Sequence, residues 1–229
     1  MDKRTAARVL RGNSWFAGLA RDLADRIVAV GRIRPAKNTL LFAAGDEPNG
    51  LFAVLSGEVH ISQTSAQGGH GLLLVATAGS WFGETSLFDG LPRFSEAFAV
   101  GRCEVLHLGV GDFRKLADES TSHFAAFARL LCEHHRLAMT HIASLSTMPV
   151  QVRVAQRLIF YAEAQREPGK QASVIRLSQE ELASAVGISR QALNVHLKRL
   201  ERDGVLSLSY ASVRVHDFGA LERLIRKAA

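Results

Sequence analysis

The side chains best suited to chemistry lie between Ser178 and Leu200, in the segment SQEELASAVGISRQALNVHLKRL. Its second half repeats leucine at helical spacing, which gives one apolar face. The opposite face carries four polar residues: Arg190, Gln191, Asn194 and Lys198. Arginine can bond bidentately to guanine, and glutamine and asparagine can do so to adenine. This face therefore predicts contact with base edges in the major groove of DNA, while Lys198 suits a phosphate.

Local signals in the same segment predict the two helices that would position this face. Ser178 begins the first helix, with Glu181 as its capping-box partner. Gly187 supplies a tight turn, and Ser189 caps the second helix. The pattern is typical of a helix-turn-helix, in which the second helix reads bases and the cap serines face phosphates. An ordinary helical hairpin with a polar outer face is the alternative.

Two extended runs follow, 205–209 and 212–216, separated by Tyr210 and Ala211. They predict the β-hairpin wing of a winged helix, in which Arg214 would contact a phosphate. One position departs from the pattern. His196 falls where an aliphatic residue is expected, and we interpret it as a half-buried histidine.

The N-terminal half has a different pattern. Short runs rich in β-branched or aromatic residues are separated by glycines, which favours an antiparallel sandwich or small barrel. The runs are 40–43, 51–55, 59–63, 72–76, 97–100 and 105–108. The chain is therefore predicted to be α+β, with domain limits at 1–111, 112–146 and 147–229.

The stretch from Asp112 to about Leu145 lacks internal proline and reads as one long helix with heptad spacing. Such a seam favours a symmetric homodimer over packing within one chain. The predicted interface residues are Phe124, Phe127, Leu131, His134, Ala138, His141 and Leu145. The two histidines suggest either a pH-sensitive or metal-binding pair, or seam residues with local hydrogen bonds.

Composition narrows the function classes. The net charge is +6, and the basic excess is concentrated after Val150, with 13 basic and 8 acidic residues against 15 and 14 before it. A basic C-terminal third favours a polyanionic partner. Apolar runs reach only five residues, which predicts no membrane span and a cytoplasmic protein. The two cysteines fit no metal-binding spacing, and no catalytic motif argues for an enzyme.

Over nearly its full length the sequence resembles the Crp/Fnr family of bacterial transcription regulators. The similar segments in the N-terminal half are 45–46, 51–52, 55–57, 82–84, 87–90 and 92–93, and those in the C-terminal half are 186–191 and 200–202. The resemblance implies an N-terminal β-roll (jelly-roll-like) effector domain, a long dimerisation helix and a C-terminal winged helix-turn-helix. It also implies a homodimer on a two-fold-related double-stranded DNA operator, with RNA polymerase as a further partner. Val195 stands where the recognition helix of the catabolite activator protein has a second arginine. The resemblance therefore implies a DNA half-site that differs from the one that protein reads.

The resemblance also implies a cyclic-nucleotide cassette at Gly83, Glu84, Thr85, Arg93 and Phe94. In nucleotide-binding members the glutamate accepts from a ribose hydroxyl and the arginine holds the cyclic phosphate. Phe94 departs from the usual small residue and is expected to crowd that phosphate. Ala138 and Met139 stand where the catabolite activator protein contacts the base through hydroxyls.

Three possibilities remain open for this domain. It binds cAMP or another small effector; it contains a Glu84–Arg93 ion pair in an empty cassette; or it is scaffold in an effector-independent DNA-binding regulator. No cysteine precedes Cys103, so the iron–sulfur chemistry of one family branch is not expected. Haem ligation by a histidine stays open, because no spacing singles one out.

Overall fold

The computed structural model describes residues 1–64, 70–165, 173–209 and 212–227. Two compact units are formed. The first contains Met1–Gln63 and Leu74–Leu137, and the second contains Thr64–Leu73 and Ala138–Ala229. Tyr210 and Ala211, the predicted turn of the wing, lie outside the described residues.

The first unit surrounds a β-sheet with helices from both ends of its sequence. Its helices are α1 (Lys3–Leu10), α2 (Ser14–Ala17), α3 (Arg21–Val30), α4 (Thr85–Asp89), α5 (Val110–Asp118) and the first part of α6 (Thr121–Thr147). Its strands are β1 (Arg32–Phe42), β2 (Leu51–Thr64), β3 (His70–Ala76), β4 (Trp81–Phe82) and β5 (Glu96–Leu108). The ends of β2 and β3 belong to the second unit.

The sheet has the order β1-β5-β2-β3, with β4 paired to β2. The β1–β5, β2–β5 and β2–β4 pairs are antiparallel. Four of the runs predicted as separate strands join in pairs to form β2 and β5. The predicted break at Gly57 is instead a register shift within β2. Gly57 has a φ of +79°, and a Cβ there would overlap the Arg102 carbonyl, so the strand continues through a bulge only because the residue is glycine.

The single long helix predicted from Asp112 is wrong, because the chain forms two helices, α5 and α6. Ser120 explains the break: its Oγ accepts from the His123 backbone N–H at 3.1 Å and thereby caps a new helix. The N-terminal turns of α6 pack on the first unit. Phe127 is only 1% exposed and lies 6.0 Å from Trp15, measured between ring centroids.

The second unit contains the end of α6, then α7 (Val150–Ala164), α8 (Gln179–Val186), α9 (Arg190–Arg202) and α10 (Phe218–Arg226). A three-stranded antiparallel sheet completes it, with β6 (Ser173–Ile175), β7 (Leu206–Ser209) and β8 (Ser212–Val215) in the order β6-β8-β7. Strand β6 was missed by the sequence prediction, because three residues carry too little periodicity. The predicted α+β class, with an antiparallel N-terminal sheet, a long helix and a C-terminal helix-turn-helix, is confirmed.

Candidate DNA-binding and effector sites

The helix-turn-helix begins with the capping box expected from its sequence. The Glu181 backbone N–H donates to Ser178 Oγ at 3.2 Å, and the Ser178 N–H donates to Glu181 Oε2 at 2.8 Å. The Ser178 hydroxyl also donates to the same carboxylate oxygen at 2.8 Å. Ser178 is thus bonded at the start of α8. A phosphate contact by this hydroxyl, as predicted, requires it to exchange that bond.

The turn between α8 and α9 depends on Gly187. Its φ is +72°, a left-handed conformation that favours glycine, and an added Cβ would lie 3.0 Å from Leu145 Cδ2. Arg153 Nη1 donates to the Val186 carbonyl at 3.0 Å and so satisfies one of the last carbonyls of α8. The turn is therefore fixed by backbone conformation and by a side chain of α7.

Helix α9 has the predicted division into two faces. Leu193, Leu197 and Leu200 are buried, whereas Arg190, Gln191 and Asn194 are exposed. Ser189 Oγ accepts from the Ala192 N–H at 3.2 Å and caps the helix. Within the described residues, none of the three exposed polar side chains makes a hydrogen bond, so their donors and acceptors are available. His196 is half-buried, as expected.

The structure modifies the assignment of the two predicted phosphate cations. Lys198 Nζ lies 2.9 Å from Glu201 Oε2, and Glu201 Oε1 accepts from the Leu208 N–H at 3.0 Å. This pair was not predicted, although the i, i+3 spacing of opposite charges on a helix favours it. Arg214 is exposed on the central strand β8, opposite Ser207 on β7. It has no ion pair among the described residues, so it is the freer of the two cations.

In the first unit, Arg93 is held by the protein itself. Its Nη1 donates to the Gly83 carbonyl at 2.6 Å, and its Nη2 donates to the Gly50 carbonyl at 2.6 Å and to Asn49 Oδ1 at 2.7 Å. The guanidinium also stacks 4.3 Å from the centroid of the Phe42 ring. Sequence reasoning missed Asn49, since only the folded loop brings it to Arg93.

Burial and charge act in opposite directions on this arginine. Arg93 is 4% exposed, and burial lowers its pKa, while the negative charges of Glu84 and Asp46 oppose that shift. Gly83 has a φ of +91°, and a Cβ there would lie 3.1 Å from Arg93 Nη1. The glycine thus makes room for the arginine side chain.

Glu84, the second predicted cassette residue, is bonded to the long helix. It is 5% exposed, and its Oε1 accepts from His134 Nδ1 at 2.7 Å. An internal Glu84–Arg93 ion pair is not formed between these two described residues, because Arg93 donates to neutral oxygens and Glu84 pairs with His134. The expectation of such an ion pair is therefore corrected.

The other predicted effector residues are more exposed than Glu84 and Arg93. Thr85 is half-buried at the start of α4. Phe94 is 54% exposed, so about half of its surface faces solvent. Ala138 and Met139 are exposed residues of the second unit.

The residues predicted for the dimer seam differ in exposure. Phe124, Ala138 and Leu145 are exposed on α6, and Leu131 is half-buried. Phe127 is in the core of its own unit and is therefore removed from the expected seam, whereas His134 is half-buried and bonded to Glu84. His141 is half-buried, and its pKa is lowered by burial and by the charges of Arg157 and Arg153.

The described residues contain neither a metal-binding cluster nor a helix suited to a membrane. Within the ranges described above, no three His, Cys, Asp or Glu side chains are grouped so as to hold a metal ion. Over the same ranges, no helix combines the length and apolar character needed to cross a bilayer.

Comparison with known proteins defines the class of the two sites. A family model for the cyclic nucleotide-binding domain matches residues 32–120, and one for the Crp-like helix-turn-helix domain matches residues 152–224. The chain is thus a transcription regulator that joins a cyclic nucleotide-binding-like domain to a DNA-binding helix-turn-helix. It belongs to the Crp/Fnr family.

Individual relatives agree with this assignment. The CRP-like cAMP-activated global transcriptional regulator of Mycobacterium tuberculosis is 30% identical over 190 residues, covering 82% of this chain and 84% of the relative. A Crp-family regulator of known structure from Thermus thermophilus is 25% identical with a TM-score of 0.70, covering 86% of this chain and 97% of the other. The c-di-GMP-responsive regulator CLP of Xanthomonas campestris, at 24% identity and a TM-score of 0.69, shares the fold, covering 86% of this chain and all of the other.

Proposed function

We propose that this transcription regulator acts as a homodimer that reads a two-fold-related operator with Arg190, Gln191 and Asn194. The observation that carries the proposal is the exposed polar face of α9, which rests on a buried leucine face and is fixed by two helix caps and Gly187. Ser189, Lys198 and Arg214 would contact phosphates beside the bases. On family grounds we further propose that it acts in the cytoplasm and contacts RNA polymerase.

Dimerisation is supported by the exposed apolar stripe on α6. Phe124, Ile142 and Leu145 lie near one another in angle around the helix, and all three are exposed in the single chain. A stripe of this kind is expected to be covered by a second copy in a symmetric interface. Phe127 and His134 are not part of the proposed interface.

The test of DNA recognition is selection of bound duplexes from random DNA by the full-length protein. We expect enrichment of an inverted repeat whose half-sites are centred about one helical turn apart. Sedimentation of the complex should give two chains per duplex. Enrichment without a repeated half-site, or one chain per duplex, would contradict the proposal.

For the effector domain we propose a small ligand that binds at Glu84 and Arg93, with cyclic nucleotides as the first class to test. Support comes from the match to cyclic nucleotide-binding domains and from relatives named as cAMP-activated. A ligand that controls DNA binding must bind one conformational state more tightly than another. Operator affinity measured with and without cAMP, cGMP or cyclic di-GMP should therefore differ.

A second candidate is an effector-independent regulator with a structural cassette. It is favoured by internal bonds that engage both Nη atoms of Arg93 and Oε1 of Glu84 without a ligand, although Arg93 Nε is buried with no partner among the described residues. Under this alternative the selected operator is bound with equal affinity with and without each nucleotide. The same titration therefore separates the two candidates.

A further inference from the structure

His134 connects the long helix to the cassette carboxylate. The two residues are fifty positions apart in sequence, and the fold brings His134 Nδ1 to 2.7 Å from Glu84 Oε1. Because a carboxylate only accepts, His134 must be the donor, and the bond is charge-assisted. The Glu84 side chain is 6% exposed and that of His134 is 30% exposed. The contact therefore lies largely out of solvent on the side of the carboxylate.

The surroundings favour a charged imidazole at this place. Burial lowers the pKa of His134, but the hydrogen bond and charge of Glu84, with the charge of Glu133, outweigh burial and raise it overall. On the cassette side, Arg93 is the charged group that interacts with Glu84, and Asp46 is a second negative charge that acts on Arg93. His107 donates from Nε2 to the Asn49 carbonyl at 2.8 Å, and burial lowers its pKa.

Glu84 is also the group that a ribose hydroxyl would use. A carboxylate already bonded to an imidazolium is a weaker acceptor for a further donor, because its negative charge is shared. Arg93 differs, since its partners are neutral oxygens whose bonds a ligand phosphate can replace. Glu84 is therefore the cassette group whose ligand contact depends on a residue of the long helix α6.

We propose that His134 gates the effector site by holding Glu84 in the ligand-free protein and competing with the ligand for it. The inference rests on the proposed function, because it assumes that the effector uses Glu84. Binding of the effector weakens the His134–Glu84 bond and so releases α6 from one of its anchors on the first unit. The class of ligand is one that offers a hydroxyl donor to Glu84 and an anionic group to Arg93.

The test is calorimetric titration of cAMP, cGMP and cyclic di-GMP into full-length wild-type protein and three variants. His134→Ala removes the competing donor, and we expect ligand affinity to rise about tenfold, the value of a hydrogen bond to a charged group. His134→Gln keeps a donor but cannot ionise, which guards against a folding defect in the alanine variant. His135→Ala changes the neighbouring exposed histidine and should leave the affinity unchanged.

A pH series gives a readout that a purely structural histidine would not move. In wild type, affinity should rise as the pH increases through the raised pKa of His134, because the imidazolium then loses its proton and holds Glu84 less strongly. His134→Gln should remove this dependence, whereas His135→Ala should keep it.

Two results would overturn the gate. If His134→Ala binds nucleotide as tightly as wild type or more weakly, His134 does not compete for Glu84, while nucleotide sensing itself stands. If neither wild type nor variants bind any of the three nucleotides yet the operator is bound, both nucleotide sensing and the gate fail, and DNA recognition stands. If the wild-type protein does not bind an operator, the proposed function as a whole is contradicted.

Discussion

The recognition helix and the cassette each depend on an arginine, and the two side chains are in opposite states. Arg190 is exposed on α9 and has no hydrogen bond among the described residues, whereas Arg93 is buried and donates to three protein oxygens. The DNA-reading surface is therefore ready for its partner. In the cassette both Nη atoms of Arg93 already donate to the protein, and only Nε is without a partner among the described residues, so a ligand that takes the Nη donors loses what their bonds contribute.

The largest expected effect is on the free energy of unfolding, which substitution of Arg93 should lower far more than substitution of Arg190. Arg93→Ala leaves the Gly83 and Gly50 carbonyls and Asn49 without a donor, and it should lower the free energy of unfolding by about 3 kcal/mol. Arg190→Ala, at an exposed position, should change it by less than about 0.5 kcal/mol. Urea unfolding followed by tryptophan fluorescence measures this, since Trp15 and Trp81 are both in the core of the first unit. If the two alanine variants have the same free energy of unfolding, the buried and exposed arginines do not differ in the way described.

Arg190→Ala should have its effect on DNA. Loss of a bidentate contact to guanine is expected to cost about 1–3 kcal/mol per half-site and to relax discrimination at one base pair. Fluorescence anisotropy with the selected operator and a scrambled duplex checks this. Arg199→Ala is the matched control, because Arg199 is exposed on the same helix but outside the reading face. Equal losses for both variants would contradict the assigned roles.

The His134–Glu84 pair predicts a pH dependence of stability. The pKa of His134 is raised in the folded protein, so the pair stabilises it fully below the ordinary histidine pKa of about 6.5. This contribution is lost as the pH rises through the raised pKa. Unfolding experiments across that range should show wild type losing stability relative to His134→Gln. A constant difference between the two proteins would show that His134 does not titrate in this range.

The smallest expected effect concerns Lys198. Because Lys198 is already paired with Glu201, Lys198→Ala should weaken binding to all sequences alike by less than about 1 kcal/mol. It should also reduce the salt dependence of binding by about one phosphate contact. Affinity for selected and scrambled DNA at several salt concentrations measures both. A loss confined to the selected operator would make Lys198 a base-reading residue.

Local sequence was sufficient for the helix-turn-helix. The Ser178–Glu181 capping box, the left-handed Gly187, the Ser189 cap and the buried leucines each depend on residues within a few positions of one another. Helix caps and helical periodicity are short-range effects, so they can be read directly from the order of residues. The glycine-separated strands were predicted only in part, because most of β1 was missed and the joining of runs into β2 and β5 was not predicted.

Tertiary structure alone decided the state of the cassette and of the long helix. Asn49 and Gly50 reach Arg93 from more than forty positions away, and His134 reaches Glu84 from fifty. Phe127 fits the heptad pattern yet packs inside its own unit, because periodicity shows that a helix face is buried but not what covers it. The sequence by itself determined which groups can do chemistry. Only the fold determined that those of α9 are exposed and those of the cassette are already bonded.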